Sequence, residues 1–480
     1  MSEGLSDPDL PPGAIVQTYG DGGALRNDGV KLTPASKNPW YVLATVAGEQ
    51  EETQALYIDH ELHARNRRFW NGWMCRGMCD AERLELAKQM GLSEAELSPL
   101  SEVEVQQLSE RFQLSFQSTP PVEVVPKADE SARFSSTYFP KAFSLERCFF
   151  VEAAFFDAAH FVGGVDFSAA HFSKAVYLSK VHFAENALSK ETHFASGASF
   201  QEAYFVGKAD FNSAYFGKEA FFPKARFERD ADFDAARMLE GATFFGAHFA
   251  GSVSFQKSHF GDSLDFSNGR FNGTTDFGGA RFKGAVPKFF HRKIHQDTSF
   301  SDDPALWPEV TPQNAEEGKR AYTRLRQVAA EIYDPDLEHF FLRQEMRCKA
   351  RIEWDKGAWF HWLLFRLYRS LADSGISVAR PFWLLVFFWA FGFACFAGHF
   401  DSGVLPDLPP DIQDSRYRAA AGVSFGNLFG FLGINRLYFT DLLRDHIPDW
   451  LQFVAGLQTA FGVVLLFFLG LGLRNRFRLK

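Results

Sequence analysis

Phenylalanine recurs every eleven residues through the middle of this chain, and that period limits the possible folds more than any other feature. One series runs Phe134, Phe156, Phe167, Phe200, Phe211, Phe222, Phe233, Phe244, Phe255, Phe266 and Phe277, with Leu145, Leu178 and Ser189 as substitutes. A second series, offset by five, runs from Phe139 to Phe282 and is broken only by Met238. Together they fill 24 of 28 positions with Phe, which accounts for much of a composition holding 55 Phe against 12 Tyr and 10 Trp. Two residues before most of these rings stands a slim residue, such as Ala154, Ala159, Ala209, Ala220 or Ala280. The unit is A-x-F-x-x alternating with A-x-F-x-x-x.

An eleven-residue period is also that of a right-handed helical coiled coil. The offset of five excludes it, because the two Phe series would lie roughly 140° apart around a helix and form no single stripe. Gly, Ser, Asn and Asp between the rings also disfavour helix. A short strand fits instead: positions i−2 and i point inward, i−1 points outward, and the next residues turn a corner. Such a piece cannot bury its own ring, so successive coils must stack.

With this motif, residues 134–290 resemble the pentapeptide-repeat family. The resemblance implies a right-handed quadrilateral β-helix with four faces per coil. The alternation of five and six residues gives a coil of 22 rather than 20. At about 4.8 Å per coil, residues 134–282 make a rod roughly 30–35 Å long.

Before the second Phe series stand His160, His171, His182, His193, Tyr204, Tyr215, Arg226, Arg237, His248, His259, Arg270 and Arg281. With 22 residues per coil they divide into two outward ladders, each reading His, His, Tyr, Arg, His, Arg. Asp166, Asp210, Asp232, Asp265 and Asp276 take the same place in the other series, so two faces read as basic-aromatic and two as acidic. The ladders are a possible surface for an anionic partner, and histidines near their ordinary pKa of about 6.5 would make it pH-responsive. Plain stacking of flat side chains between rungs is the other reading. A metal between His160 and His182 lacks the further ligands that a closed site needs.

The chain ends differently. Residues 381–398 and 451–473 are free of charged side chains and long enough to cross a bilayer. Arg366, Arg369 and Arg380 precede the first, and Arg474, Arg476, Arg478 and Lys480 follow the second. The positive-inside rule then places both termini in the cytoplasm and loop 399–450 in the periplasm. Trp359, Trp362, Phe365, Tyr368 and Arg369 suggest an interfacial helix. Residues 314–352 read as two amphipathic helices around Asp334-Pro335-Asp336 that join the rod to the membrane segment. The apolar stretch 421–434 is too short to cross and reads as re-entrant or interfacial. Span, short helix, span is also the plan of two-span cation channels, but FLGINRLYF is no carbonyl-lined potassium filter.

The remaining sequence narrows the function by exclusion. Residues 1–133 hold 12 Lys+Arg against 21 Asp+Glu, or −9, which equals the net charge of the whole chain; residues 134–290 hold 16 against 17, or −1. A generic nucleic-acid binder is basic, so no nucleic acid is expected. A near-neutral rod is also a poor DNA mimic of the kind that soluble family members use against topoisomerases. Five scattered cysteines are no disulfide framework. Cys75 and Cys79, with His60 and His63 nearby, match no closed zinc template. The acidic start lacks the apolar core of a signal peptide. No nucleophile elbow, phosphate loop or dinucleotide fingerprint occurs, so no catalytic residue, cofactor or metal is assigned and no enzyme is expected.

The sequence thus divides into an acidic, partly helical head (1–116), a linker (117–133), the β-helix (134–290), a connector (291–313), a helical hairpin with an interfacial helix (314–372) and a two-span module (373–480). Ser93 and Ser101 read as helix N-caps in the head. The expected function is a non-catalytic scaffold of a bacterial inner membrane, like the membrane-anchored members the chain resembles. Its partners would be an unidentified cytoplasmic protein, the lipid bilayer, and a further copy through the membrane helices. The alternative is a channel-like pore regulated by the rod.

Overall fold

A computed structural model of the chain describes residues 10–54, 58–115, 124–373, 377–401, 416–439 and 447–477. It divides into two units, the first spanning residues up to 310 together with 320–338, the second 311–319 together with 339–480.

The first unit is built on a parallel β-solenoid with four faces. Two-residue strands pair in steps of 22, as in Val165↔Ala187, His182↔Tyr204 and Ala220↔Ala242. Each coil donates backbone hydrogen bonds to the next; the Phe211 N–H reaches the Asp232 carbonyl at 2.7 Å. Inside, the rings form four columns. Phe200 lies 4.6 Å from Phe222 with parallel planes, Phe205 4.7 Å from Phe227, Phe211 4.9 Å from Phe233 and Phe194 4.9 Å from Phe216.

The two corner types have different chemistry. The five-residue corner is a β-turn in which the Phe carbonyl accepts from the N–H three residues on, as from Phe211 to Ala214 at 3.0 Å. Its third residue must be left-handed, and Ala158, Lys180, Glu202 and Lys224 hold φ of 55–57° there. In the six-residue corner the coils come close, and a Cβ on Gly207 would lie 2.6 Å from the Asn186 nitrogen.

A stack of edges must be closed at both ends. At the first coil, a short helix α1 (Pro39–Ala44), capped by Asn38, sets Tyr41 5.2 Å from Phe143. The Asn38 amide also donates to the Arg133 carbonyl at 2.9 Å. Helix α2 (His60–Met74) carries Trp70, 5.0 Å from Phe150. Its Asn71 takes the Phe149 N–H at 2.8 Å and donates to the Arg147 carbonyl at 3.0 Å, standing in for a missing strand. Helices α3 (Asp80–Met90) and α4 (Glu102–Ser115) follow, and Ser93 and Ser101 each pair with a Glu three residues on, as capping residues do.

The helical reading of the head missed a β-meander, β1 (Ile15–Thr18), β2 (Ala24–Arg26) and β3 (Lys31–Pro34). β3 pairs parallel with Thr137–Tyr138 and so continues one solenoid face. At the other end, one extra residue shifts the period: Thr298 pairs with Thr275, 23 residues away. Phe289 and Phe300 thereby continue the columns, and Trp307 closes them 4.8 Å from Phe282. Of the expected linker, residues 117–123 lie outside the described residues.

The helices after the solenoid are α5 (Ala315–Glu331), α6 (Pro335–Asp355) and α7 (Trp359–Ala372). Within the second unit, α8 (Ala379–Asp401) and α11 (Asp449–Phe477) are long and apolar enough to cross a membrane, and most of their surface is uncovered. Between them in sequence lie α9 (Arg416–Leu428) and α10 (Ile434–Tyr438). α9 packs Ala420 and Val423 among Phe396, Phe400 and Leu451. A polar cluster ties these helices. The Gln458 amide donates to the Phe388 carbonyl at 2.8 Å and Ser424 Oγ at 2.9 Å, and accepts from Asn427 at 3.0 Å. Gly392 makes room for it, since a Cβ there would collide with the Gln458 amide.

The register of the solenoid is open to mutation. Phe211→Ala should cost roughly 3–5 kcal/mol, because its fully buried ring leaves a cavity in the column. Phe221→Ala, at an outward position between Ser199 and Thr243, should cost much less. Denaturant midpoints check this, and equal losses would show the inward and outward positions to be misassigned.

Candidate interaction surface

The outward residues follow from the corners they precede. Asp166, Asp210, Asp232, Asp265 and Asp276 each accept a backbone N–H two residues on, at 2.7–3.2 Å. This is an Asx turn, which secures the five-residue corner. The six-residue corner makes no such demand, and there the ladder residues stand. Four of these five aspartates lie on one face, and only Asp265 lies on the other, where Phe155 and Tyr177 stack at 4.9 Å. The expectation of two acidic faces is corrected to one. Even that one is partly neutralised: buried Asp210 faces Lys190 at 3.4 Å and Lys208 at 3.6 Å.

Both ladders form in the expected order. One runs Tyr138, His160, His182, Tyr204, Arg226, His248, Arg270; the other Phe149, His171, His193, Tyr215, Arg237, His259, Arg281. Their flat members stack, His160 on His182 at 4.3 Å and His193 on Tyr215 at 4.3 Å. Rings stacked face to face hold their nitrogen lone pairs side by side, so His160 and His182 do not converge on one ion. Among the described residues no group of three or more His, Cys, Asp or Glu is placed to hold a metal. In the head, His63 bonds the Glu146 carbonyl at 3.0 Å and Cys75 is buried, its thiol pushed up to about 12 by desolvation.

An open surface along all twelve ladder positions is not what forms. His160, His171, His182 and Tyr204 are buried; His193, Tyr215 and His248 are half-buried; Arg226, Arg237, His259, Arg270 and Arg281 are exposed. The head lies over the first rungs. Arg26 of β2 donates from one guanidinium nitrogen to the carbonyls of Ala158 at 2.9 Å and Lys180 at 2.8 Å, on successive coils. Its other terminal nitrogen pairs with Asp28 at 2.8 Å. The Pro12 carbonyl meets His182 Nδ1 at 3.2 Å. On the other ladder, His171 lines an open cavity of about 470 Å³ with Met78 and with Ala81, Glu82 and Leu86 of α3. The physical reason for the cover is that the three buried ladder histidines lie on the coils nearest the cap.

Burial, with Arg26 near His160 and His182, lowers the histidines. His160 falls to about 3, chiefly by desolvation and then by its neighbour His182 and Arg26; His171 and His182 fall to about 4. The Nδ1 atoms of His160 and His171 find no hydrogen-bond partner among the described residues, as suits neutral rings. His248 and His259 are also lowered, by desolvation first, with nearby arginines in the same direction. The expected charging of the ladders near pH 6.5 is therefore displaced to lower pH.

Residues 244–287 match a family model described as pentapeptide repeats (9 copies). With the four-faced parallel solenoid, this match supports the pentapeptide-repeat family for residues 134–290. No curated protein and no solved structure matches it.

The lowered histidines carry a stability prediction. The unfolded chain takes up protons near pH 6.5, while His160, His171 and His182 stay neutral in the fold until about pH 3–4. Their contribution is complete above about pH 7 and is lost as pH falls through that interval. The denaturant midpoint should decline between pH 6.5 and 5, and replacing all three by Gln should flatten the decline. A wild-type midpoint constant over that range contradicts the neutral assignment.

Proposed function

We propose that the chain is a membrane-anchored, non-catalytic scaffold, whose solenoid offers the uncovered half of its two ladders to an acidic partner protein on the cytoplasmic side. The observation that carries this is the asymmetry of the ladders. The rungs nearest the head are covered, whereas Arg226 and Arg270 on one face and Arg237, His259 and Arg281 on the other remain exposed, and none of these four arginines has an ion-pair partner within 4 Å among the described residues. Packing of the core does not require these side chains, because they stand at i−1. Solenoids of this family are generally structural or binding proteins.

Anchoring rests on α8 and α11, whose apolar surfaces are mostly uncovered and whose arginine-rich flanks favour cytoplasmic ends. A bacterial inner membrane with loop 399–450 in the periplasm suits this charge pattern. The polar cluster favours anchoring over conduction. Gln458, Asn427 and Ser424 direct their hydrogen bonds to one another and to the Phe388 and Trp389 carbonyls, which joins helices rather than lining a passage.

Capture from native membranes tests the reading. The protein should stay in the pellet after carbonate extraction. A variant with Arg226, Arg237, Arg270 and Arg281 replaced by Ser should stay there too, with a nearly unchanged melting temperature. Crosslinked acidic partners should be lost from the variant, and from the wild type as salt rises, since exposed charges are screened beyond about 10 Å at 0.1 M. An identical capture list for both forms returns the ladders to stacking alone.

A further inference from the structure

Helix α7 has a composition that the scaffold reading leaves unused. It opens with Trp359 and Phe360, both exposed, and continues with exposed Leu364 and Leu367. Trp354 at the end of α6, also half open, packs against Trp362 at 4.7 Å. Five large apolar side chains in and beside one short helix are thus left toward the outside. The same helix carries two exposed arginines. Arg366 lies over the Trp362 ring at 5.1 Å, and Arg369 stands in the last turn.

The neighbouring helix ends add to this charge. The Tyr368 ring of α7 meets Phe468 of α11 at 5.6 Å, which brings the arginine-bearing end of α11 beside α7. Arg474 is close enough to act on Tyr368 electrostatically and is exposed. At the start of α8, Arg380 donates to the Arg369 carbonyl at 3.3 Å. Gly472 of α11 packs where a Cβ would lie 3.0 Å from the Ser377 carbonyl, just ahead of α8. Three helix ends therefore gather Arg366, Arg369, Arg380 and Arg474. The local carboxylate is Asp373, which pairs with Arg343 at 3.4 Å and lies 3.9 Å from Arg380. No carboxylate among the described residues pairs with Arg366, Arg369 or Arg474.

Exposed aromatic rings and arginines on one helix, beside the ends of two apolar helices, match the boundary of a bilayer, where rings sit among headgroups and cations meet anionic lipid. We propose that α7, the first turn of α8 and the last turn of α11 form a binding surface for the headgroups of anionic phospholipids. Trp359, Phe360, Leu364 and Leu367 enter the headgroup region, and Arg366, Arg369, Arg380 and Arg474 contact phosphate. Arginine suits this because its planar fork presents paired donors to phosphate oxygens. The surface rests on the membrane reading, and it adds a lipid preference that spanning alone does not require.

Spin-labelled lipids test it with the full-length protein reconstituted in phosphatidylcholine vesicles. Labelled phosphatidylglycerol and labelled phosphatidylcholine are compared through the fraction that the protein immobilises. Phosphatidylglycerol should associate at least about fivefold more strongly, since its net negative charge is attracted by the arginines and the zwitterionic headgroup is not. The preference should shrink at high salt, and fall to within about twofold in the variant Arg366→Gln, Arg369→Gln, Arg380→Gln, Arg474→Gln. Equal association of the two lipids with wild type overturns the headgroup surface while leaving the spans intact. A preference that survives unchanged in the quadruple variant overturns its assignment to these arginines. Immobilisation of neither lipid overturns the membrane reading itself. Trp359→Ser with Phe360→Ser, keeping all four arginines, should weaken both lipids at this surface without abolishing the preference, and complete loss of preference there counts against phosphate contact by arginine.

Discussion

Ring-on-ring stacking along four columns is the constraint that the rest of the first unit obeys. A Phe in one coil stacks face to face on its counterparts 22 residues away and meets the rings of the other columns edge-on, so every coil must keep the same circumference. That requirement divides each half-coil into a five-residue and a six-residue step, and the two steps then diverge chemically. The tight step needs a left-handed residue, and where an aspartate precedes the ring its carboxylate secures the turn by accepting the N–H two residues on. The looser step needs neither, and its outward position is free to carry His, Tyr and Arg. Corner geometry thus admits aspartate on the five-residue faces and the basic-aromatic ladders on the six-residue faces, and only one of the former is acidic.

A stack also has ends, and its caps determine which of its surface remains available. Tyr41, Trp70 and Asn71 close the first coil through rings and through an amide acting as a surrogate strand. Having docked there, the head continues over the outer surface, where Arg26 grips two successive turn carbonyls. Rungs near the head lose contact with water, and their histidines lose basicity. Rungs farther away keep contact with water, though His248 and His259 are still lowered, by desolvation first. The division of the ladders into covered and open halves follows from the position of the cap.

Much of this was legible in the sequence because it repeats. The Phe columns, the 22-residue coil and the order of both ladders depend on local spacing, and spacing is visible in a string. The long apolar helices α8 and α11 were legible for a similar reason, as uninterrupted apolar length. What escaped has no local period. Arg26 meets Lys180 across 154 residues and Pro12 meets His182 across 170, with no motif to announce either contact. Phe289 and Phe300 were hidden by one inserted residue that puts them off the eleven-residue series. The Asx turns left a trace that went unread: the residue two after each aspartate is Ser168, Asn212, Asp234, Ser267 or Gly278, all turn formers. The tie between Gln458 and Asn427 was obscured because single amides in an apolar run give no pattern until the helices are packed.

The account turns on the claim that the head covers one half of the ladders and leaves the other half open. Acylation of neutral imidazoles by diethylpyrocarbonate, read residue by residue by mass spectrometry on the native full-length protein, measures it most directly. At pH 7 every ladder histidine is mostly neutral, and those with the lowest proton affinity would not be held back by charge. Protection can then come only from cover. His259 should be modified readily and His248 more slowly, while His160, His171 and His182 remain unmodified until the fold is denatured. Modification of His160 and His182 at the rate of His259 in the folded protein would contradict the covered-ladder account.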